Sequence, residues 1–77
     1  MNKIRRQRIT EAVGLLEKVM EIIDEVQTEE QDAFDSLPEG IQVSERGQAM
    51  EDAADRLGYV LDELGSQMEE LEDIRET

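Results

Sequence analysis

Along the first half of the chain, apolar residues fall at Ile9, Ala12, Val13, Leu16, Val19, Met20, Ile23, Val26, Ala33, Phe34 and Leu37, in steps of three and four. That spacing returns a side chain to the same face of an α-helix at every turn, so it predicts a helix over about 3–36. With Ile9 at heptad position a, the a series is Ile9, Leu16, Ile23 and Leu37, interrupted by Glu30, and the d series is Ala12, Val19, Val26 and Ala33. Val13, Met20 and Phe34 widen the stripe at e, and Leu15 and Ile22 widen it at g. A two-stranded seam needs only a and d, so the extra columns call for more than one neighbour.

The second half repeats the pattern, with Met50, Leu57, Leu64 and Leu71 at a, Ala53, Val60 and Ile74 at d, and Ala54, Leu61 and Met68 at e. Gln67 is the polar exception among the d positions. This predicts a second helix over about 44–75. Gly47, Gly58 and Gly65 each weaken it by about 1 kcal/mol without ending it.

Between the two lies a connector over about 37–43, marked by the only proline, Pro38, with Gly40 two residues later. Proline drives Leu37 out of the helical region, Gly40 permits a positive φ, and Ser44 is placed to cap the next helix with Glu45 in its first turn. The expected fold is all-α: one domain over 1–77, an antiparallel two-helix hairpin. Folding back sets Ile9 near Leu71, Leu16 near Leu64 and Ile23 near Leu57, making these residues, with Val19, Val26 and Val60, the expected core and self-association set. Leu37, Ile41 and Val43 are expected to fold back and cap the open end of that core. Ala54, Gly58 and Gly65 form a strip of small residues that a second helix could approach closely.

Size changes this picture, because 77 residues barely suffice for a core that outweighs chain entropy. A homodimer forming a four-helix bundle is therefore expected. The 38% apolar content includes one Tyr, one Phe and no Trp, so the core is aliphatic. No run approaches the roughly 20 apolar residues that span a bilayer, and the amphipathic start is unlike a signal peptide, which together with the lack of cysteine points to the cytoplasm.

Charge is lopsided. Of 8 basic residues, four (Lys3, Arg5, Arg6 and Arg8) fall in the first eight positions, while all 21 acidic ones come later, for a net charge of −13. Such a polyanionic body repels nucleic-acid phosphates and anionic lipid, which argues against direct nucleic-acid or membrane binding and favours a basic or nucleic-acid-binding protein as partner. In the hairpin register the basic start lies beside Glu69, Glu70, Glu72, Asp73 and Glu76, where opposite charges select antiparallel pairing.

Catalytic chemistry finds little material. Without His or Cys there is no thiol nucleophile, no imidazole base for neutral pH and neither of the usual transition-metal ligands. The run Glu29-Glu30-Gln31-Asp32 with Asp35 lacks the central glycine and alternation of a calcium loop, and the Glu-x-x-His pairs of di-iron bundles cannot form. No catalytic residue, metal site or cofactor is expected. Glu30, at a core-facing position within reach of Arg46 or Gln48, reads as a device that fixes register, as does Gln67.

The segment Ala33-Phe34-Asp35-Ser36-Leu37-Pro38-Glu39-Gly40-Ile41-Gln42-Val43-Ser44-Glu45-Arg46-Gly47, followed by Met50-Glu51, resembles a group of uncharacterised small acidic proteins of bacteria, their phages and mobile elements. These share a long helix, an N-L-P-E-S-L-Q-like turn, an S-E-x-G-x-x-M-E-like restart and a second acidic helix. Ser36 stands here for the usual Asn, and Gly40-Ile41 for Ser-Leu. The resemblance implies a two-helix fold and a phage or mobile-element setting, and it brings no catalytic or binding residues. Function is thus expected to be non-enzymatic: a self-associating module presenting an acidic surface to a protein. The alternative is a DNA mimic whose carboxylates occupy the groove of a nucleic-acid-binding or defence enzyme.

Overall fold

A computed structural model describes all residues from Met1 to Thr77. It contains α1 (Lys3–Asp35), a single turn α2 (Glu39–Gln42) and α3 (Glu45–Glu76), with no strand. Asn2 starts α1 by accepting the Arg5 N–H on Oδ1 at 2.8 Å. The helix stops where Leu37 must leave the helical region before Pro38, and its last carbonyls are taken up locally. Ser36 donates from both N–H and Oγ to the Asp32 carbonyl, and Gln42 Nε2 reaches the Phe34 carbonyl at 3.2 Å. Ser44 caps α3 as its sequence position requires, its Oγ accepting from Gly47 N–H.

The connector differs from the expectation in two ways. Pro38 opens α2 with its carbonyl accepting from Ile41 and Gln42, and Gly40 lies inside that turn; no glycine in the chain has a positive φ. Leu37 is half-buried, but Ile41 is 43% and Val43 72% exposed, so the connector does not close the core with all three side chains. Backbone does that work instead. Gly47 is buried, and a Cβ there would lie 2.6 Å from the Gln42 carbonyl carbon and nearer still to the Ile41 and Gln42 oxygens. The first turn of α3 is thus pressed directly onto α2.

Helices α1 and α3 pack along their lengths to give a rod of 58 × 15 × 12 Å. Antiparallel register is marked by Arg75 Nη1 donating to Thr10 Oγ1 at the open end and Gln27 Nε2 donating to the Ala54 carbonyl midway. The seam in α1 runs through Ile9, Val13, Leu16, Met20, Ile23, Gln27 and Phe34, all buried or half-buried. These are positions a and e of the heptad above. Val19 and Val26, at d, are exposed, as is Val60 in α3, where Leu57, Leu61, Leu64, Met68 and Leu71 are half-buried. The apolar arc is wider than one neighbouring helix can cover, and α3 covers its a/e side.

Small residues explain why that side was chosen. Ala54 is fully buried, and a Cβ on Gly58 would come within 2.8 Å of Gln27 Nε2. At Gly65 it would touch Met20 Cε at 3.8 Å. Ala54, Gly58 and Gly65 therefore receive side chains from α1 of the same chain, where the sequence suggested a second contact surface outside the hairpin seam. The polar residue that reads register is Gln27. Gln67 is exposed, Gln48 donates to the Val43 carbonyl, and neither it nor Arg46 hydrogen-bonds or ion-pairs with Glu30.

Charge pairing also departs from expectation. The ion pairs within 4.0 Å are Arg56–Asp52 and Arg75–Glu76, both inside α3, so the basic start of α1 makes no direct pair with the acidic end of α3. Lys3, Arg5, Arg6 and Arg8 are exposed. Moreover, α1 has no acid in its first turn and no base in its last, the reverse of what its dipole favours.

Candidate interaction surface

Only Val13, Gly47 and Ala54 of the 77 residues are buried. The accessible surface is 5883 Å², whereas a compact monomer of this mass would expose about 4,800 Å². The excess, about 1,100 Å², is comparable to the roughly 800 Å² that each partner contributes to a standard interface.

Much of the exposed aliphatic surface is gathered in one place. Steps of three and four align Ile4, Arg8, Ala12, Leu15, Val19, Ile22, Val26, Glu29 and Ala33 along a single stripe of α1, and every one of them is exposed. Leu15 is 58% and Ile22 60% exposed, values at which a large aliphatic side chain keeps most of its surface in water. Beside this stripe, flanking the seam on the same side, α3 contributes Ala53, Val60, Gln67 and Ile74 at heptad spacing, with Val60 and Ile74 exposed. The α3 column is thinner, because Gln67 interrupts it and the charged Arg56, Glu63 and Glu70 border it. Val19, Val26 and Val60 of the expected self-association set belong to this surface, while Ile9, Leu16, Ile23, Leu57, Leu64 and Leu71 lie half-buried in the hairpin seam.

The opposite side of the hairpin is acidic. Glu17, Glu21 and Asp24 of α1 and Asp62 and Glu69 of α3 line an open groove floored by Met20, Leu61 and Gly65. A second shallow groove follows along the same side at Gln27, Asp55, Gly58, Tyr59 and Asp62. The hairpin is thus two-faced, with aliphatic side chains on one flank of the seam and carboxylates on the other. No helix is long and apolar enough to cross a membrane.

The width of the stripe is legible in the sequence, whereas its division between seam and surface is not. Gln27 and Gly47 were likewise not legible as structural residues, although a glutamine in an apolar column facing Gly58 was the available signal. Comparison with protein-family models, curated proteins and solved structures finds no significant match.

Proposed function

We propose that the chain is a non-enzymatic interaction module that self-associates through the aliphatic stripe of α1 and presents its carboxylate-lined side to a basic protein partner, in a phage or mobile-element setting. The observation that carries this reading is the exposed row Leu15, Val19, Ile22 and Val26 on a chain with almost no buried core. Burying four such side chains per copy removes several hundred Å² of apolar surface from water, at about 25 cal/mol per Å². A homodimer of hairpins, four helices around a common core, accomplishes that. Light scattering of the wild type and of Val19→Glu/Ile22→Glu tests it: the wild type should run as a dimer at micromolar concentration and the variant as a monomer that still contains helix. A monomeric wild type overturns the reading.

A second reading, an acidic mimic of DNA, is supported by the row of carboxylates along the groove at Met20 and Leu61. It requires that duplex DNA compete with this protein for a captured DNA-binding enzyme. Replacing Asp24 and Asp62 with Asn should then weaken capture without changing the oligomeric state.

A further inference from the structure

We infer that two copies associate with their α1 helices in direct antiparallel contact, across a two-fold axis passing between Val19 and Ile22. This rests on the self-association reading and specifies its geometry. The exposed stripe is symmetric about that point: the axis sets Val19 of one copy against Ile22 of the second, and Leu15 against Val26. Four of the five large aliphatic side chains that α1 leaves exposed thus cover one another, and the charged border of α3 stays at the rim.

Charge selects the same arrangement. Between Glu21 and Asp35 there are seven acids and no base, and the four exposed bases lie at the far end of the same helix. In the antiparallel arrangement Arg8 of each copy falls opposite Ala33 of the other, within one helical turn of Glu29. Both acidic ends then meet a basic end. The alternative with α1 parallel to its counterpart stacks α1 on the second copy's α3, sets Leu15 and Ile22 against the column bordered by Glu63 and Glu70, and holds the two acidic ends side by side. Like charges at that distance repel. The basic start and acidic end of α1, unfavourable to its own dipole and not ion-paired within the hairpin, complement each other when a second α1 runs the other way.

Nitroxide labels on single-cysteine variants decide the matter, since the chain has no cysteine of its own. Label pairs at Gln7→Cys should be about 40 Å apart in the dimer, from the rise of 1.5 Å per residue. Pairs at Lys18→Cys, close to the axis, should lie within about 20 Å, given interhelical distances of 8–10 Å and label tethers. A short distance at both positions, in a species of dimeric mass, overturns the antiparallel arrangement and leaves self-association standing. Monomeric mass with no dipolar coupling at Lys18→Cys overturns both.

Discussion

Replacing Gly47 with Ala isolates the contact between connector and α3. In an open helix the change is favourable by about 1 kcal/mol, because glycine loses more conformational freedom on folding. Gly14 provides that reference, since nothing lies within 4 Å of a Cβ built there. At Gly47 the added carbon collides with the carbonyl groups of Ile41 and Gln42, which are backbone and cannot swing aside. Restoring ordinary contact with the nearer carbonyl oxygens requires α2 to shift by about 1 Å, which strains the Ser44 cap and the Gln42 bond to the Phe34 carbonyl. Overpacking of this kind costs about 1–3 kcal/mol beyond the propensity gain. For a domain of this size that lowers Tm by roughly 4–20 °C. Circular dichroism at 222 nm, at one fixed protein concentration because association contributes to stability, should show Gly14→Ala melting above wild type and Gly47→Ala below it. If Gly47→Ala melts with or above Gly14→Ala, the connector is not pressed onto α3 and this account of the turn is wrong.

Further outcomes follow from the same structure. Gly58→Ala displaces the Gln27 amide, so its helix-propensity gain should be offset in the wild type and recovered, by about 1 kcal/mol, in a Gln27→Ala background; a double-mutant cycle by urea denaturation reads the difference. Ile41→Ala should cost about 1 kcal/mol and Val43→Ala under about 0.5, as suits partly and largely exposed positions; a loss above about 2 kcal/mol at Val43 in chemical denaturation would place it in a core. With net charge −13 and no ion pair joining the two long helices, Tm should rise from low to moderate salt at pH 7, and a flat or falling Tm would show that repulsion is not the dominant electrostatic effect.

Hairpin, helix limits and connector were legible in the sequence because each rests on local chemistry: the three-and-four spacing, Pro38 and the Ser44 cap. The phase of the seam was not. Columns a, d, e and g of α1 are all apolar over Ile9 to Ile23, and periodicity alone ranks a/d above a/e. What tips the balance is on the other helix, where Ala54, Gly58 and Gly65 let Gln27 and Met20 settle at e. Reading that requires pairing residues far apart in the chain. Gly47 was hidden although its neighbours are close in sequence, because its need for a missing side chain comes from the Ile41 and Gln42 carbonyls in a connector expected to pack through its side chains.

Self-association requires that the exposed stripe of α1 be covered in solution. Sedimentation equilibrium over a concentration series at physiological salt measures this directly. It should return twice the 8.8 kDa chain mass at micromolar concentration, falling towards the monomer for Val19→Glu/Ile22→Glu. A wild-type mass of one chain across the series would contradict it.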